Sequence, residues 1–121
     1  MTSDNLQTYT YYDKKTLLAR IMNNHELLNT LLKVFIEDMP IVLNKLKLAF
    51  SENNLEQVVA EAHSLKGASY NLTAHQIGHL AQEVEENGKQ RNVEKIEVLL
   101  PELGEQLKLT VEYFEHILAN S

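Results

Sequence analysis

Apolar residues recur at three- and four-residue spacing over most of this chain, and that period constrains the fold more than anything else in the sequence. Leu28, Leu31, Leu32, Phe35, Met39, Leu43, Leu46 and Phe50 form one such run. Leu55, Val58, Ala62, Leu65, Ser69 and Leu72 form a second, Ile77, Leu80, Ala81 and Val84 a third, and a fourth extends from Ile96 through Leu99, Leu100, Leu103, Leu107, Val111 and Phe114 to Ile117 and Leu118. Each run describes one buried stripe of an α-helix. No segment alternates with a period of two, so no sheet is expected. Four long amphipathic elements joined by short turns predict an all-α fold, an antiparallel four-helix bundle, with a short additional N-terminal helix over 13–22 carrying Leu17, Leu18 and Ile21.

The punctuation between the runs refines this reading. Asp13 suits the cap of the short helix, and Asn24, the polar turn Ser51-Glu52-Asn53-Asn54 and Asn92 supply caps for later ones. Thr73 with Gln76 three residues on has the pattern of a capping box, which predicts a helix starting at Ala74 and closed by Gly88. Pro40 predicts two helices or one bent helix between 24 and 51, and Pro101 a kink or break near the start of the last helix. Residues 1–12, polar with three tyrosines, read as a loose N-terminal arm, and 13–121 as one bundle domain. At 121 residues the chain is large enough for one core.

Composition then narrows the function. There is no cysteine, which excludes disulfides and thiolate metal sites and suits the cytoplasm. No apolar run is long enough to span a membrane, and a net charge of −6 argues against nucleic acid as a partner. Neither a glycine-rich phosphate loop nor an acidic cluster for Mg²⁺ is visible, so ATP chemistry within the chain is not expected.

Against this background Ala62-His63-Ser64-Leu65-Lys66-Gly67-Ala68-Ser69 stands out. On a helix Lys66 and Gly67 follow His63 by three and four residues and share its face, beside the apolar stripe. A glycine inside a helix costs about 1 kcal/mol relative to alanine, so Gly67 needs a compensating reason. Clearance for another macromolecule approaching His63 is such a reason, and close helix packing is the plainer alternative. A neutral imidazole is a good nucleophile toward a phosphoryl group near pH 7, and Lys66 places a positive charge where phosphoryl oxygens would need one. The plainer readings are a solvated histidine and an ordinary surface lysine. Ser64 and Ser69 could add hydrogen bonds, although Ser69 better suits a small residue at a helix crossing. One imidazole nitrogen should be held by an acceptor on the following helix, and counting back from the turn at 71–73 allows either Gln82 or Glu85. His75 and His79, at i and i+4, have a spacing that can hold a metal, yet two ligands without a third make surface residues the preferred reading, and no metal site is assigned. His25 and His116 have no supporting context.

His63-Ser64-Leu65-Lys66-Gly67-Ala68-Ser69, followed by Asn71-Leu72 and the Ala81…Val84-Glu85 run, resembles the signature of histidine phosphotransfer (HPt) domains of multistep phosphorelays. The resemblance extends from about Asp13 to about Ile117. It implies that His63 accepts a phosphoryl group from an aspartyl phosphate on a response-regulator receiver domain and passes it to another receiver aspartate. It further implies that Glu85 is the residue bonded to the histidine. The partners implied are receiver domains and a hybrid sensor histidine kinase, with the Mg²⁺ and the catalysis of transfer supplied by the receiver, so that this chain is a relay intermediate and not an enzyme. Leu17, Leu18, Ile21 and Leu28 are then candidates for an apolar docking patch, with core packing the preferred reading for most of them. Many members have glycine where this chain has Thr73. The rival reading is an adaptor bundle that binds receiver or kinase domains without being phosphorylated.

Overall fold

The computed structural model describes residues 14–120, and among these every regular element is helical. The short helix α1 spans Lys14–Arg20, followed by α2 (His25–Ser51), α3 (Leu55–Asn71), α4 (His75–Lys89) and α5 (Val93–Ala119). The expected arm at 1–12 and the Asp13 cap lie outside the described residues. Contacts run from α2 to α3, α3 to α4, α4 to α5 and back from α5 to α2. The four long helices therefore close a ring, and their three-residue connectors make neighbours antiparallel.

The four apolar stripes meet inside that ring. Phe35 and Phe114 touch edge to face with ring centroids 5.2 Å apart, among fully buried Leu32, Leu46, Val58, Leu65, Ile77, Ile96 and Leu103. From α1, Leu17 also reaches the core. No helix among the described residues is long and apolar enough to cross a membrane.

The connectors share one device. Asn53, Thr73 and Arg91 have φ of 58°, 57° and 59°, each one residue past a helix C-cap. The next amide in each case bonds back to a carbonyl five residues earlier, namely Asn54 to Ala49, Ala74 to Ser69 and Asn92 to Asn87. This is the left-handed C-terminal turn usually built on glycine. Asn24, Asn54 and Asn92 then cap α2, α3 and α5 through their side chains, as their positions in the sequence predict.

Two expectations change, and at each proline the break, one of two alternatives, falls away. The capping box at Thr73 does not form. α4 starts at His75 with Ala74 as its cap, no side chain caps it, and the Thr73 hydroxyl bonds to the Leu72 carbonyl, because Thr73 is consumed by the left-handed turn. Gly88 does not close α4, which continues to Lys89. A Cβ on Gly88 would lie 2.7 Å from Val59 Cγ2, so this glycine lets α3 and α4 pack closely. Pro40 neither ends nor restarts α2, and Pro101 does not break α5. A proline inside a helix costs about 3 kcal/mol, whereas each buried Leu or Phe of the seam contributes about 1.5–3 kcal/mol. With Leu32, Phe35, Met39, Leu43 and Leu46 buried on either side of Pro40, an unbroken α2 is the better solution.

Candidate functional site: His63 on the outer face of helix α3

The α3–α4 pair places the polar residues of the motif together. Val58, Ala62, Leu65 and Ser69 turn the core side of α3 inward, which leaves His63 on the outside with 67% of its side chain exposed. Val84 and Ala81 do the same for α4 and bring Glu85 to the seam between the helices. Glu85 Oε2 lies 3.1 Å from His63 Nδ1, and Lys66 Nζ lies 2.8 Å from Oε1. Lys89, one turn beyond Glu85 on α4, places its Nζ 3.3 Å from Oε2.

Glu85 is buried, with 6% of its side chain accessible. Burial pushes its carboxyl up, but Lys66, His63 and Lys89 together outweigh burial and hold the group below the ordinary carboxylate range. Glu85 is therefore an ionised acceptor, and Nδ1 of His63 is the donor. The lone pair of the neutral imidazole then sits on Nε2, the nitrogen not held by the carboxylate.

The depressed value has a measurable consequence. The stabilisation from ionised Glu85 is present in full above the carboxyl's unfolded-state value and is lost as pH falls through its lower folded-state value. Glu85→Gln should flatten that part of the acid limb. The stability gap between wild type and variant should be constant near neutral pH and shrink below about pH 4, the ordinary carboxylate range, as followed by thermal denaturation across pH.

The glycine of the motif has no internal explanation. A Cβ on Gly67 would meet nothing within 4 Å, so close packing is excluded as its reason. Gly78 contrasts with it, since a Cβ there would lie 2.6 Å from the Tyr70 ring. Gly67 leaves a bare patch of helix backbone one turn from the imidazole.

Of the other residues singled out in the sequence, Gln82 does not reach His63. It accepts from the Tyr70 hydroxyl at 3.4 Å and donates to Glu86 at 3.1 Å, while the contact to His63 Nδ1 is made by Glu85. Ser69 is fully buried on the core side of α3 and does not join the site. Ser64 is exposed. His75 and His79 are both exposed, with His79 Nδ1 3.1 Å from the Tyr70 hydroxyl. No group of three or more His, Cys, Asp or Glu that could hold a metal occurs among the described residues. Leu17 and Leu28, at 1% and 2% exposure, are core residues and offer no docking surface, while Leu18 and Ile21 are half-buried against the core. The exposed apolar residues of α2 are instead Leu27, Val34, Ile41 and Leu48, spaced seven apart along one side of the helix. Lys89 was not singled out by the motif. Its i+4 spacing from Glu85 was the available signal.

The fold and the sequence both have relatives. The structure superimposes on histidine-containing phosphotransfer protein B from Pseudomonas aeruginosa PAO1 with a TM-score of 0.85 at 20% identity, covering 92% of this chain and 96% of that one. It is also similar to the HPT domain of the Hpt sensor hybrid histidine kinase from Shewanella, with a TM-score of 0.80 at 23% identity, covering 93% and 97%. At these identities the likeness concerns the fold. No match is found among curated proteins. The sequence profile of the Hpt domain matches residues 30–115, which include all of α3 and α4 and hence the whole His63 constellation. The chain therefore belongs to the Hpt domain family.

Proposed function

We propose that this protein is a phosphorelay intermediate that accepts a phosphoryl group on His63 Nε2 from a receiver-domain aspartyl phosphate and hands it to a second receiver aspartate. The observation that carries this reading is the pairing of Nδ1 with buried, ionised Glu85 on an otherwise open helix face. Nε2 attacks phosphorus as the bond to the aspartyl oxygen breaks, and the aspartate leaves with the electron pair. The Nδ1 proton stays in place, and positive charge developing on the ring is stabilised by Glu85. Lys66, a quarter exposed, adds positive charge beside the site for the phosphoryl oxygens. The Mg²⁺ and the geometry of in-line transfer belong to the receiver, so this chain is a carrier and not an enzyme. A cytoplasmic setting follows from that partner, and a hybrid sensor kinase is the natural source of the first receiver.

The receiver's footprint extends from His63 onto α2. Ile41 and Leu65 are equally far from the 52–54 turn, so in antiparallel register Ile41 lies within about one turn of His63 along the bundle. Leu48 of the same stripe shares a groove with Gln57 and Glu61 of α3. Ile41→Glu should weaken receiver binding about tenfold, whereas Val98→Glu, on α5 and 69% exposed, should leave it unchanged. Titration calorimetry with a receiver checks this; equal effects from both variants would remove α2 from the footprint.

The reading as a whole is tested by incubation with Mg²⁺-loaded, phosphorylated receivers from several relays. Acid-labile, alkali-stable label on this chain supports it. Binding without label from any receiver would leave an adaptor.

A further inference from the structure

The Glu85 carboxylate has more cationic partners than the motif requires. Lys66, from α3, takes Oε1 at 2.8 Å, whereas Oε2 is shared between His63 Nδ1 at 3.1 Å and Lys89 Nζ at 3.3 Å. With one lysine on one oxygen, the terminal carboxylate torsion remains soft, since such sp³–sp² torsions are broad and roughly two-fold. A second lysine on the other oxygen fixes the carboxylate plane from both sides. Lys89 belongs to the same helix as Glu85, one turn toward its C-terminus, in the orientation that favours a Glu-to-Lys pair. It also makes the group of two lysines and one carboxylate net positive while the imidazole is neutral, the sign suited to an incoming phosphoryl dianion.

We propose that Lys89 is a positioning residue of this site, clamping Oε2 of Glu85 so that the carboxylate stays in line with Nδ1 of His63 and Nε2 stays aimed outward. The proposal rests on the phosphotransfer reading for its effect on rate, but not for its effect on the imidazole. Lys89 is 62% exposed, so substitution there leaves the core untouched. An ordinary surface ion pair with no bearing on His63 is the competing explanation.

The experiment compares the wild-type chain, Lys89→Gln and Lys89→Arg by two readouts. One is the ¹H–¹⁵N signal of the His63 Nδ1–H in the unphosphorylated protein. The other is the transfer rate from a phosphorylated receiver across receiver concentration. Lys89→Gln should broaden the Nδ1–H signal through faster solvent exchange and lower the saturating transfer rate about fivefold with an unchanged half-saturating concentration. Lys89→Arg should restore both. An unchanged Nδ1–H signal overturns the proposal, whether the rates are also unchanged or the loss falls only on the half-saturating concentration and disappears in salt. The latter pattern would make Lys89 a steering charge. If the wild type takes up no phosphoryl group while its Nδ1–H signal still depends on Lys89, the clamp stands and the phosphotransfer reading alone falls.

Discussion

His63→Gln should take up no phosphoryl group from any charged receiver while melting within about 3 °C of wild type. The two halves of this expectation have separate causes. The fold is indifferent because the imidazole is two-thirds exposed and its one anchor, Glu85, keeps Lys66 and Lys89 when the ring is removed. The chemistry is lost because a carboxamide nitrogen has its lone pair delocalised into the carbonyl and does not form the N–P bond. Thermal denaturation followed by circular dichroism, beside acid-labile phosphate analysis, reads both. A variant that unfolds would mean that the ring supports the core, contrary to its place on the outer face of α3.

Gly67→Leu should raise stability and destroy transfer together. A glycine in a helix interior is less favourable than leucine by about 0.8 kcal/mol, and a side chain here meets no neighbour. The melting temperature should therefore rise by a few degrees. The same side chain would stand one turn from His63 on the face a receiver must cover, holding the aspartyl phosphate away from Nε2. A displacement of about 1 Å can cost a hundredfold in rate, so a loss of about that size or more is expected. Gly67→Ala should show the same stability gain with a smaller loss. Retained transfer in the leucine variant would place the receiver on another face. A fall in stability would show a packing reason for Gly67 that the fold does not reveal.

These variants also mark what was legible in the sequence. The four apolar stripes specified the bundle because burial of a continuous seam dominates local preference, and the same dominance explains why Pro40 and Pro101 failed to interrupt α2 and α5. The asparagine caps were readable because capping is a local side-chain bond. The α3–α4 connector was not. Its backbone passes through a left-handed Thr73 that is fully buried, so tertiary packing set the start of α4 against the local capping signal.

At the site, the His63–Lys66–Gly67 spacing was readable because it lies within one helix. The acceptor on α4 depended on the register between two helices. Counting residues could not separate Gln82 from Glu85, whereas the resemblance to HPt domains pointed to Glu85, where the structure places the contact. Lys89 escaped because its significance comes from sharing Oε2 with the imidazole, a relation between three side chains on two helices. Leu17 and Leu28 fall to core packing and not to the docking patch, a choice the sequence leaves open because an apolar residue near a site looks the same whether it faces in or out.

The most direct test of the central claim is to locate the phosphoryl group after transfer from a Mg²⁺-loaded, phosphorylated receiver, by ³¹P NMR of the intact protein and mass spectrometry of its alkali-stable peptides. A single phosphoramidate on Nε2 of His63, absent from His63→Gln, is the predicted result. Phosphate on Nδ1, on His75 or His79, or on no residue of this chain would contradict it.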